Sequence, residues 1–108
     1  MRRQVIHVPW YATGFRGDDL EAALVAISGV SLRYGARGWS VFRSKEDRYR
    51  MLQVLEFDTA PAFQRFWYGE EFQDMRSSCQ SWYQVPVLYV FQELVGEGSM
   101  HPEEVPQT

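Results

Sequence analysis

The chain has 108 residues, room for one domain, with 45% hydrophobic and 23% charged residues and a formal net charge of −3. That balance argues against a general phosphate-backbone binder, and no apolar run approaches the about 18 residues of a membrane-spanning helix. One cysteine, Cys79, excludes an internal disulfide and a thiolate zinc cluster, and two histidines 94 positions apart, His7 and His101, argue against a protein-only metal site.

Residues 4–11, Gln-Val-Ile-His-Val-Pro-Trp-Tyr, predict a strand. Ile6, Val8 and Trp10 share one face; Val5, His7, Pro9 and Tyr11 take the other. Pro9 cannot donate to a ladder, so it points to an edge position or a bulge. Thr13 to Gly17 is a glycine-containing loop. A helix follows, with Asp18 as N-cap and Glu21 in capping-box position. Leu20, Ala23, Leu24, Ile27, Val30, Ser31 and Tyr34 follow one helical face, and Gly35 stops it. Residues 39–43 and 49–57 predict an antiparallel hairpin across the polar stretch from Ser44 to Arg48. Asp58 or Thr59 caps a second helix, with Pro61 in its first turn, where a missing N–H costs nothing. Phe63, Phe66, Trp67, Phe72, Met75 and Cys79 mark its inner face. Tyr68-Gly69 divides it into segments 60–67 and 70–80. Residues 85–95 predict a long last strand.

The order β-α-β-β-α-β is the ferredoxin-like, or split βαβ, arrangement of the α+β class: a four-stranded antiparallel sheet with two helices on one face. The expected domain is 1–95. Residues 96–108, rich in Gly, Ser, Pro and Glu, form a C-terminal tail. A half-solvated sheet alternates apolar and polar residues. Here the predicted strands are apolar on both faces, and helices can cover only one of them. A second copy packed sheet against sheet is the expected cover, giving a homodimer or an assembly of dimers. Its interface is expected to hold Leu55, Phe57, Tyr89 and Phe91.

This order, the long third and fourth strands, and the stretch Phe-Gln-Arg-Phe-Trp-Tyr-Gly-Glu-Glu-Phe from Phe63 to Phe72 resemble the dimeric α/β-barrel superfamily, and within it small antibiotic-biosynthesis-monooxygenase-like proteins. The resemblance covers residues 4–95. It implies either a barrel protein with an apolar, aromatic-lined small-molecule cavity or a cofactor-independent monooxygenase-like enzyme acting on an aromatic or polyketide-like substrate. Haem-degrading relatives carry a histidine ligand on the second helix. Residues 59–84 contain no histidine, so that role is not expected here.

The residues offer few polar groups for chemistry, and enzyme and binding module stay open. His7 and Tyr11 share a face of the first strand, about 13 Å apart along it at ~3.3 Å per residue, and are the candidates for orienting or deprotonating a substrate. A histidine satisfied inside an interface is the alternative. Gln53 interrupts an apolar strand, and its amide must bond across a dimer axis or to a ligand. Trp10, Trp39, Trp67 and Tyr89 either line a flat cavity with Gln53 or fill the core. No metal, cofactor, nucleic-acid or membrane partner is expected. The N-terminal Met-Arg-Arg-Gln lacks the h-region of a signal peptide, and with a single cysteine a reducing cytoplasm is the expected location.

Overall fold

The computed structural model describes residues 3–100. Strand β1 (Gln4–Tyr11) leads through a short loop into helix α1 (Gly17–Val30), which tightens into a 3-10 turn over Ser31–Tyr34. Gly35 ends it with φ of 97°, a left-handed conformation that favours glycine. Strands β2 (Ala36–Arg43) and β3 (Arg50–Phe57) form a hairpin, and helices α2 (Ala60–Trp67) and α3 (Glu70–Ser78) follow. A 3-10 turn over Gln80–Trp82 and the short strand β4 (Val90–Gln92) complete the order. The sheet runs β2-β3-β1-β4 and every pairing is antiparallel. This is the ferredoxin-like α+β fold that the element order predicts.

Register decides which residues meet. Ile6 pairs with Leu55, Val8 with Gln53 and Trp10 with Met51, and all six lie buried beneath the helices. His7 pairs with Val54 and Pro9 with Leu52 on the opposite, helix-free face. The second helical region breaks at Tyr68-Gly69 as its sequence predicts. A Cβ on Gly69 would lie 2.6 Å from the Arg65 carbonyl oxygen, so only glycine lets α3 leave so close to the end of α2. Thr59 caps α2, its hydroxyl accepting from the Ala62 N–H at 3.3 Å.

The structure corrects four expectations. Asp18 does not cap α1, which begins at Gly17 with no side-chain cap. Arg43 reaches over from β2 and donates to Asp18 at 2.7 Å and Glu21 at 3.1 Å, so both expected capping carboxylates are taken by a charge-assisted partner. The second strand starts at Ala36 rather than Trp39, with an irregularity between Ala36 and Gly38. The last strand is three residues long, not eleven. The Gln84 N–H bonds the Tyr11 carbonyl at 2.8 Å, so by alternation the missing N–H of Pro9 faces the same side. Pro86 lacks a donor as well, and between Gln84 and Val90 the chain leaves the ladder. Pro9 thus has an open side although β1 is an inner strand.

The fourth correction concerns the two sheet faces. Leu55 and Phe57 are fully buried under the helices, and the rings of Tyr89 and Phe91 stand 4.9 and 5.6 Å from Phe63. None of the four lies on the helix-free face. That face carries Val5, His7, Pro9 and Tyr11 from β1, Phe42 from β2, Leu52 and Val54 from β3, and Val90 from β4. The doubly apolar sheet is present, with the assignment of its faces exchanged.

Candidate functional site

Between the helices and the sheet, aromatic rings form one continuous cluster. Trp10 contacts Tyr83 edge-on at 5.0 Å and Phe72 at 6.4 Å. Phe72 lies 4.4 Å from Trp67 and 5.2 Å from Phe66. Trp67 and Phe63 both meet Tyr89, at 5.1 and 4.9 Å. Such tilted and edge-on pairs each add about 0.5–1.5 kcal/mol beyond burial. α2 supplies Phe63, Phe66 and Trp67 at helical spacing, and α3 turns Phe72 in below them.

One polar chain crosses this core. The Trp10 indole N–H donates to Gln53 Oε1 at 3.1 Å, and Gln53 Nε2 donates to Ser28 Oγ at 2.8 Å. The Ser31 hydroxyl donates to the Ser28 carbonyl at 2.6 Å. Gln53 therefore has a partner within its own chain for each end of its amide. Sequence reading missed Ser28; its signal is position, since it follows Leu24 by one helical turn on the buried side of α1.

The cluster reaches the surface at Tyr68. The Tyr68 and Tyr89 hydroxyls stand 3.2 Å apart, and Tyr68 is exposed while Tyr89 is half-buried. The bond to Tyr68, with burial second, raises the Tyr89 phenol above its ordinary range. Nearby the Arg76 guanidinium lies 5.7 Å over the Trp67 ring and 6.0 Å over Tyr83. Trp39 packs half-buried against the core from β2, on the same side of the sheet.

His7 and Tyr11 lie on the other side. His7 is half-buried between Val54 of β3 and Val90 of β4. Tyr11 is held at the end of the strand, where its hydroxyl donates to Asp47 Oδ2 at 2.7 Å. That bond raises the Tyr11 phenol and, with the Tyr49 N–H, lowers the Asp47 carboxyl. The sheet backbone thus separates His7 and Tyr11 from Trp10, Trp39, Gln53, Trp67 and Tyr89. One ligand cannot touch both sets, and a single site built from all seven is ruled out by strand parity. Cys79 is buried, and desolvation raises its thiol. Among the described residues no three His, Cys, Asp or Glu side chains gather as a metal site, and no helix is long and apolar enough to cross a membrane.

No family model and no curated protein matches the chain significantly. Solved structures do match its fold. A Bordetella bronchiseptica protein provisionally named an antibiotic biosynthesis monooxygenase superposes with a TM-score of 0.77 at 20% identity, covering 88% of this chain and 99% of its own. A Nitrosomonas europaea protein of the same provisional name gives 0.77 at 15% identity, covering 86% and 90%. A mutant of SnoaB, named as a cofactor-independent oxygenase from Streptomyces nogalater, gives 0.77 at 9% identity, covering 90% and 97%. At these identities the likeness is one of fold.

Proposed function

We propose that this chain is a homodimeric small-molecule-binding barrel. Two copies close sheet against sheet over the helix-free face, and each copy receives a flat, apolar ligand among the rings between its sheet and helices. The observation that carries the binding role is the unbroken run of rings from Trp10 through Phe72 and Trp67 to Tyr89, which ends at two neighbouring hydroxyls on the surface. A planar ligand needs apolar walls and a few polar groups to orient it, and the rings with the two hydroxyls offer both. Trp67 and Tyr89 are its contact residues; Trp10, Gln53 and Trp39 form the wall and floor behind them.

Two features support the homodimer. The helix-free face exposes Phe42 at 58% on one edge strand and Val90 at 48% on the other, with Leu52 and Val54 between them. Its charges sit at the two ends of β3, Arg50 near Asp47 at one and Glu56 with Arg3 at the other. A two-fold axis between the sheets and across the strands sets these ends over one another and keeps their charges at the rim of the contact.

A second reading is a cofactor-independent monooxygenase acting on an aromatic or polyketide-like substrate, favoured by the fold shared with a protein named a cofactor-independent oxygenase. It would use the same helix-side rings, since His7 and Tyr11 face away from them. Titration of a flat aromatic fluorophore, such as anilinonaphthalene sulfonate, tests the binding role. Saturable quenching of tryptophan emission with a raised melting temperature is expected, and Trp67→Ala should weaken it. No quenching and no thermal shift with any planar compound overturns the reading. Oxygen uptake with electron-rich phenols separates enzyme from binder.

A further inference from the structure

His7 occupies the middle of the helix-free face. It lies halfway along β1, an inner strand, with Val54 on one side and Val90 on the other. Val5 and Pro9 flank it on its own strand. No hydrogen bond engages its imidazole among the described residues. Among the described residues its side chain forms no ion pair and is not part of the core. Any second copy that covers the face must cover this position first, because its neighbours there are apolar and the charges lie toward the ends of the strands.

We infer that His7 makes self-association of this chain pH-sensitive: with a neutral imidazole the two sheets close, and protonation drives them apart. The inference rests on the homodimer proposed above. A neutral imidazole tolerates an apolar interface, whereas an imidazolium without a counter-charge there disfavours association, and the two-fold symmetry puts two of them into one interface. The sign follows directly. Covering the face disfavours the charged form, so the dimer is favoured while the imidazole is neutral and is lost as acid protonates it.

The other groups on this face do not supply the same response. On β1, Tyr11 is held above the ordinary phenol range by Asp47, and Asp47 in the following hairpin turn is held below the ordinary carboxylate range by Tyr11. β3 adds Arg50 at one end and, at the other, Glu56, which is paired with Arg3 at 3.6 Å. β2 brings Ser40 and Phe42, and β4 brings Val90 and Gln92, none of which titrates. His101 is the chain's other histidine, so a His7 variant is required to assign any effect.

Sedimentation velocity across a concentration series at about pH 7.5 and pH 5.5 tests this. Wild type should be dimeric at the higher pH, with the dissociation constant rising about tenfold or more at the lower pH while far-ultraviolet circular dichroism stays unchanged. His7→Gln should remain dimeric at both, changing less than about threefold; His7→Phe serves if glutamine itself weakens association. Glu56→Gln should retain the wild-type response. A dimer unaffected at pH 5.5 overturns the inference and leaves the homodimer standing. Equal dissociation of wild type and both His7 variants, or loss of the response in Glu56→Gln, overturns it as well. A monomer at pH 7.5 overturns the homodimer and the inference together.

Discussion

Gln53 shows how one polar residue is accommodated in an apolar strand. It is fully buried, yet Trp10 and Ser28 satisfy both ends of its amide, so it ties β3 to β1 and to α1 at once. Gln53→Leu should cost about 1–3 kcal/mol, because it leaves an indole N–H without an acceptor in the core. Chemical denaturation should show that loss, and Ser28→Ala in the Gln53→Leu background should cost less than it does alone. Tyr11 and Asp47 make a second residue-scale case. The Asp47 carboxyl is depressed in the folded chain, so its stabilisation is present above pH about 4 and lost as pH falls through the lowered value. The Tyr11 phenol is raised, so its part is present below pH about 10 and lost as pH rises through the raised value. Denaturation midpoints of wild type and Tyr11→Phe should therefore differ most between those limits and converge on both sides.

At the scale of elements, the informative joints are those where two helices or two strands share little space. The α2–α3 break depends on Gly69, where an added Cβ meets the Arg65 carbonyl at 2.6 Å and the Tyr34 hydroxyl at 3.2 Å. Tyr34 in turn donates to Glu71 of α3, which Arg33 also engages. Gly69→Ala should thus disturb both the helix joint and its tether, lowering stability by about 1–3 kcal/mol. A thermal melt checks it; an unchanged midpoint would mean that α3 can swing away freely. The break was legible in the sequence because Tyr-Gly interrupts a helical pattern. The truncation of β4 was not, because between the pairings His7–Val90 and Ala12–Tyr83 each segment carries a proline, Pro9 on one and Pro86 on the other, and neither segment reveals that coincidence alone.

For the whole molecule, the decisive property is which side of the sheet each strand turns outward. Leu52 and Leu55 are three residues apart in one strand and lie on opposite faces. If the proposed homodimer forms through the helix-free face, Leu52→Glu should yield a folded monomer, since the charge there reaches solvent once the copies part. Leu55→Glu should unfold the chain, since an unpaired carboxylate beneath the helices costs several kcal/mol. Circular dichroism beside sedimentation separates the two outcomes. A folded Leu55→Glu monomer, or a dimeric Leu52→Glu, would reverse the assignment of the faces.

Periodicity alone identified β1, the β2–β3 hairpin, the divided second helical region and the order that makes a ferredoxin-like fold. These are local signals: alternation in strands, three-and-four spacing in helices, and turn residues between them. Alternation also sorted each strand into two sets correctly, Ile6 with Trp10 and His7 with Tyr11. It could not say which set the helices would cover when both sets were apolar. That choice was made by tertiary packing, where the larger rings of α2 and α3 found Leu55, Phe57, Tyr89 and Phe91 and left Leu52, Val54 and Val90 outside. The same choice divided the site candidates between two faces, because a pleated strand that buries Trp10 must turn His7 and Tyr11 the other way.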